Sequence, residues 1–265
     1  MVKRVVVGLL LCLFVLAMLY LGNTVEAIVF TLGAILAVHE LEQAIKKNGF
    51  APFMAPAYVF AALYAFFAYQ LTLLSLVMLW MACVLAVVSE RILNRKRKTE
   101  ETFLSLGAFA YPLPLFAVLF LLAISFGSER GISALLLAFA CPLAGDSFAF
   151  FIGTFFGKRK LCPEISPKKT VEGSVASVFG SVAGALAIYF LQPLWGVSLP
   201  LWPMLLLGLA CGFLGQVGDL FASVIKRWAN IKDFGSIFPG HGGMMDRVDS
   251  VLLCAPAVYL CFYLL

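Results

Sequence analysis

An all-α, polytopic membrane bundle of about nine spanning helices is the fold class this sequence predicts, and three observations carry it. Of its 265 residues, 63% are hydrophobic and only 12% charged, against about 45–50% and about 25% in soluble domains. Mean hydropathy is +1.01, so water could not solvate the surface that such a chain would present. The apolar residues also fall in runs near the 20 or so residues that a spanning helix needs, not in the short alternating segments of a β-barrel.

Taken in order, the runs lie near 5–22, 25–38, 53–69, 71–89, 104–125, 132–152, 173–191, 201–224 and 247–265. Lys3 and Arg4 precede the first. It is long for a signal-peptide core and no A-x-A site closes it, so it reads as an uncleaved anchor. The second run is short and stops before Glu40, Glu42, Lys46 and Lys47. The third and fourth are nearly continuous, parted near Tyr69 and Gln70, and the fourth ends at Arg91, Arg95, Lys96, Arg97 and Lys98. Lys158, Arg159, Lys160, Lys168 and Lys169 follow the sixth run; Lys226, Arg227, Lys232 and Arg247 follow the eighth. Every basic residue but Arg130 then falls on one side, which the positive-inside rule makes cytoplasmic. The amino terminus is expected inside, the carboxyl terminus outside, and the protein in the inner (plasma) membrane. The net charge of +5 follows the bilayer and does not point to nucleic acid. Seven cysteines at irregular spacing, six of them inside apolar runs, read as small packing residues, not as disulfides or a zinc site.

Acidic residues divide the chain. All five aspartates lie after residue 140, while the earlier glutamates stand at loop edges and read as solvated or salt-bridged surface groups. The division expected is a transmembrane scaffold over 1–130 and a catalytic region over 131–265 with two polar cytoplasmic loops. Asp146 and Asp219 sit inside apolar runs, where a carboxylate costs about 2.5–3.5 kcal/mol at the membrane centre and less near the interface. Such groups need a paired Lys or Arg, a wet cavity or a shared cation. Asp246 and Asp249 open the ninth run at i, i+3 spacing, on one helix face. Hard oxygen donors gathered this way suit Mg²⁺, which takes one or two carboxylates and a substrate's phosphates; favourable placement at a helix N-terminus would explain Asp246 alone.

Asp219, Ser223 and Lys226 or Arg227 recur at helical steps along one stripe. Lys232 and the Gly240-His241-Gly242-Gly243 turn follow, with backbone able to approach a phosphate, or merely to turn. Ser166-Pro167-Lys168-Lys169-Thr170 precedes a helix and reads as a phosphate cradle, although basic residues beside a membrane also meet anionic headgroups nonspecifically. Gly153-Thr154-Phe155-Phe156-Gly157-Lys158 is not a P-loop: it is one residue short, lacks the Ser/Thr and follows a membrane helix. Gly180–Gly184 and Gly208–Gly212 are small-residue pairs suited to close helix packing; with the large apolar surface they also allow a homodimer.

Ser223-Val224-Ile225-Lys226-Arg227, Lys232-Asp233 and His241-Gly242-Gly243-Met244-Met245-Asp246-Arg247-Val248-Asp249 resemble, without departure, the signature of the CDP-diacylglycerol synthases (phosphatidate cytidylyltransferases). Gly145-Asp146-Ser147 and Ser166–Gly173 are similar to further motifs of that family, and the resemblance covers roughly 140–250. It implies a Mg²⁺-dependent reaction of CTP with phosphatidic acid in phospholipid synthesis, giving CDP-diacylglycerol and pyrophosphate at the bilayer. Carried onto this chain, Asp219, Asp246 and Asp249 would hold the metal with Asp146 near it, and a second cation such as K⁺ also fits. Lys168, Lys169, Lys226 and Arg227 are the candidate phosphate clamps. Ser166, Thr170, Ser223, Lys232, Gly242, Gly243 and Arg247 are further candidates, as is His241, which would contact phosphate or nucleotide and not act as a base. Two alternatives stay open: a CTP-dependent polyprenol-type lipid kinase, and a cation- or proton-coupled transporter.

Overall fold

The computed structural model describes residues 2–70, 72–238, 240 and 242–265, and over these the chain is helical, with one small hairpin. The helices are α1 (Val2–Leu21), α2 (Asn23–Lys47), α3 (Ala55–Gln70), α4 (Leu73–Leu93), α5 (Thr99–Ala110), α6 (Leu113–Ile124), α7 (Ser128–Phe156), α8 (Val171–Leu191), α9 (Leu201–Trp228) and α10 (Met245–Leu264). Strands β1 (Lys160–Cys162) and β2 (Ser166–Thr170) pair antiparallel between α7 and α8.

Among the described residues seven segments are long and apolar enough to cross a membrane: α2, α4, α5 with α6, α7, α8 with the 3₁₀ turn after it, α9 and α10. Helix α3, at 16 residues, is about 24 Å long, short of a hydrocarbon core of about 30 Å. Helix α4 shows why lipid is the required solvent: Leu73, Leu74, Val77, Met78, Met81, Leu85, Val88 and Ile92 are all exposed along it.

Three departures from the sequence expectation have local causes. The fifth run is broken into α5 and α6 at Tyr111–Pro112, because proline lacks a donor and pushes the residue before it out of the α region; Tyr111 is extended, at φ −158° and ψ 122°. The second run does not stop at residue 38. Helix α2 continues to Lys47, through good helix formers and a Glu42–Lys46 ion pair of 2.8 Å at i, i+4. It ends at Asn48 and at Gly49, whose φ of +85° favours glycine. Third, Glu26, Glu40 and Glu101 are buried, which corrects their reading as surface groups; Glu42 and Glu90 are salt-bridged as expected.

The chain forms two compact units. One comprises the residues up to Leu121 with Ile225–Arg247, the other Leu122–Val224 with Val248–Leu265. In the first, Phe30, Phe60, Tyr64, Phe109 and Phe120 form a buried aromatic core, with ring centroids 5.9–6.5 Å apart.

Glycine contacts draw α7, α8, α9 and α10 together in the second unit. A methyl on Gly180 or Gly184 would lie 2.7 Å from the carbonyl oxygen of Ala144 or Ala140 on α7, and one on Gly208 or Gly212 would lie 2.7 Å from the α8 backbone. Both small-residue pairs therefore pack inside this chain, which removes them as support for a homodimer face.

Candidate active site

Asp219 lies on α9 in the second unit. Its Oδ2 meets Lys169 Nζ at 2.5 Å, with the two side chains 29% and 26% exposed, and Ser223 Oγ stands 3.5 Å from Oδ1. This is the paired-lysine arrangement that the sequence left open. Gly218, just before it, abuts α10: a methyl there would be 2.3 Å from the Asp249 carbonyl oxygen. Asp219 and Asp249 are thus on touching helices, one residue step of about 3.8 Å from direct backbone contact. The Asp249 side chain is buried and its Oδ1 accepts the Ser250 N–H at 2.7 Å. Asp146, on α7, is exposed.

The predicted phosphate cradle before α8 is a β-hairpin. Thr170 ends β2 and caps α8, its Oγ1 accepting the Gly173 N–H at 3.1 Å. Glu172, in the first turn of α8, accepts the Lys158 N–H at 3.1 Å and the Arg159 N–H at 3.3 Å. Lys168 is exposed and Ser166 half-buried. The rejected P-loop segment is the end of α7; Gly153 and Gly157 are there because Thr170 and Gly173 pack on them.

The other polar loop belongs to the first unit. Lys226, in the last turn of α9, pairs with Asp246 Oδ1 at 2.7 Å, with side chains only 11% and 4% exposed, and its ammonium lies 5.5 Å from the Phe234 ring centroid. Asp246 Oδ2 accepts the Phe234 N–H at 2.8 Å and the Gly243 N–H at 3.0 Å. Gly242 has φ +85°, and a methyl on it would strike Asp246 Oδ2 at 2.7 Å. The glycine pair is therefore shaped by a carboxylate, and the Gly243 amide that was expected to face a phosphate is already donated. Arg227, Lys232 and Arg247 are exposed, while His241 lies outside the described residues.

The residue that sequence reasoning missed is Glu40. From α2 it reaches the start of α10, where Oε1 accepts the Met244 N–H at 2.7 Å and Oε2 the Met245 N–H at 2.8 Å. The signal was present but faint: Gly243-Met244-Met245 offers no capping side chain at a helix start.

Among the described residues no group of three or more His, Cys, Asp or Glu could hold a metal ion. Mg²⁺ does not require one, since it commonly takes one or two carboxylates and completes its shell with waters and phosphates. Asp219 and Asp249 supply that donor chemistry on touching helices, and the ammonium on Asp219 shows that its carboxylate accommodates a cation.

A family model described as the cytidylyltransferase family matches residues 2–265. A phosphatidate cytidylyltransferase of Synechocystis sp. is 44% identical over 137 residues, 51% of this chain and 45% of that protein. One from Bacillus subtilis is 45% identical over 123 residues, 46% of this chain and 45% of that protein. One from Staphylococcus aureus is 39% identical over 129 residues, 48% of each. The matched stretch spans about half the length of each of these relatives.

Proposed function

From the premise that the chain belongs to the cytidylyltransferase family, we propose that it makes CDP-diacylglycerol and pyrophosphate from CTP and phosphatidic acid at the membrane. An oxygen of the lipid phosphate attacks the α-phosphorus of CTP in line; the new O–P bond forms as the bond to the β-phosphate oxygen breaks, and pyrophosphate leaves. No protein nucleophile is needed. The chain's work is to bring two polyanions together, which requires cations near both.

Lys169 and Lys168 supply them on the hairpin. Lys169 is held by Asp219 and about a quarter exposed, so an arriving phosphate competes with a carboxylate for an ammonium that is already placed. Ser166, Thr170 and Ser223 are the candidate hydroxyl partners in the same unit; Arg227, Lys232 and Arg247, exposed in the first unit, are separate candidate phosphate contacts. Asp219 and Asp249 are the residues that would hold Mg²⁺; Asp146 and Asp246 are the further candidate acids. When bound, that ion offsets phosphate charge and stabilises the charge that develops on the leaving group. A second cation such as K⁺ belongs to the same proposal. The positive-inside pattern supports polar loops facing the cytoplasm of the inner membrane, where soluble CTP enters from water and phosphatidic acid arrives laterally.

What carries the reading is one observation: Asp219 and Asp249 stand on touching helices with a lysine of the hairpin on the first of them. The test is a purified-protein assay with labelled CTP and phosphatidic acid, with and without EDTA. Cytidine label in the lipid, abolished by EDTA and restored by Mg²⁺, is the expected result. Transfer of only the γ-phosphate would make the chain a lipid kinase, and no lipid product at all would reject both.

A further inference from the structure

We propose that Glu40 is a positioning residue of this enzyme, acting through the first turn of α10 on the carboxylate of Asp246; the word enzyme here rests on the function proposed above. A helix start carries main-chain N–H groups without intrahelical partners, and they are usually met by Ser, Thr, Asp or Asn at the cap. Here the residue before Met245 is Met244, which cannot cap. Glu40 does so from α2, with one oxygen on each of two consecutive amides at 2.7 and 2.8 Å, and it is only 3% exposed. Both oxygens are engaged and shielded, so Glu40 is neither a metal ligand nor a nucleotide contact.

Two glycines of the loop are explained by the same side chain. A methyl on Gly243 would lie 2.3 Å from Glu40 Oε1 and one on Gly235 would lie 2.6 Å from it, far inside van der Waals contact. With Gly243, Met244 and Met245 held, the Gly243 N–H is aimed at Asp246 Oδ2, and the Phe234 N–H completes that oxygen's partners. Rotation of the Asp246 carboxylate is thereby locked, leaving Oδ1 to face Lys226. Glu40 sets the direction of a signature acid through the main chain between them.

The experiment uses the full chain in detergent, with Glu40→Gln, Glu40→Asp and, as a control on the same helix, Glu42→Gln. Glu40→Gln is expected to lower kcat for cytidine transfer about 30- to 100-fold, the scale of a misplaced reacting group, while KM for CTP moves less than about threefold. Glu40→Asp keeps the charge and recovers part of the rate; Glu42→Gln behaves as wild type. Hydrogen exchange over residues 242–247 gives a readout independent of activity: slow in the wild type and faster in Glu40→Gln. A purely structural role would instead lower the folded fraction at unchanged kcat per folded molecule. Wild-type kcat in Glu40→Gln overturns the proposal, and so do amides of Met244 and Met245 that exchange freely in the wild type, a measurement that stands even if Glu40→Gln fails to fold. If the wild type makes no cytidine-labelled lipid, the function fails while the exchange data still decide the anchor.

Discussion

The loop before α8 and the loop before α10 are both polar and both carry basic residues, yet they are held in different ways. In the hairpin the charges stand at the surface: Glu172 accepts its two amides there, Lys168 is exposed and Lys169 shares Asp219 with solvent. In the loop before α10 two buried carboxylates, Asp246 and Glu40, take four main-chain amides and one lysine between them. Pairs that remain in water contribute little to stability, so the hairpin's lysines can change partners cheaply. A buried pair stripped of one partner leaves an uncompensated charge, so the second loop resists rearrangement. The contrast separates a region suited to receiving phosphate from one suited to holding a frame.

The largest effect should come from Asp219→Asn or Asp249→Asn. Either removes a charge from the proposed metal donors and is expected to lower turnover about 1,000-fold, with the thermal midpoint of Asp219→Asn nearly unchanged because that side chain is partly exposed. Activity near wild type at saturating Mg²⁺ would dismiss these acids as ligands and erase the functional side of the comparison. Asp246→Asn should add a second effect to a loss of turnover. It leaves the Lys226 ammonium buried without its counter-charge and is expected to cost about 3 kcal/mol of stability, read as a lower midpoint of unfolding in detergent. A midpoint equal to that of Asp219→Asn would show that the two loops are not held differently after all.

Lys169→Met ranks third. Its pair with Asp219 is about a quarter exposed on each side, so stability should change by less than about 1 kcal/mol, while KM for CTP rises about tenfold through loss of a phosphate contact. The informative comparison is with Lys226→Met. That lysine is buried against Asp246 and Phe234, so its loss should lower stability more than the loss of Lys169 does. Equal effects from the two would blur the distinction.

What the sequence disclosed follows from which interactions are local. Hydropathy runs mark the helices because burial in lipid acts residue by residue; the small-residue pairs predict close packing because a glycine at every fourth position leaves a groove on one face. The Pro112 break was also written locally but was hidden by the apolar run around it. The hairpin could not be read from Ser-Pro-Lys-Lys-Thr, which lacks the alternation of a half-buried strand. Asp219, Lys169 and the signature acids were legible as chemistry, but which lysine meets which acid is a tertiary fact. Glu40 was least legible of all. It sits among Glu42, Lys46 and Lys47, a spacing that reads as a solvated helix end, and its partners are some 200 positions away in the chain, as main-chain amides that carry no side-chain signature.

The smallest effect is expected from Lys46→Gln with Lys47→Gln, and it tests the sharpest form of the comparison because it lies on α2 itself. Lys46 is 49% exposed and pairs with Glu42 at i, i+4, an arrangement worth about 0.3–0.5 kcal/mol. Turnover should stay within about twofold of wild type and the unfolding midpoint should barely move. Glu40 lies less than two turns earlier on the same helix, so any general loosening of α2 would affect both sets of variants. A helix whose exposed end tolerates two charge changes, while one buried carboxylate upstream does not, is a scaffold that sets the signature loop through a buried carboxylate. A large fall in kcat for the double lysine variant would mean that the helix end, too, takes part in the reaction, and the separation of frame from reacting region would have to be redrawn along α2.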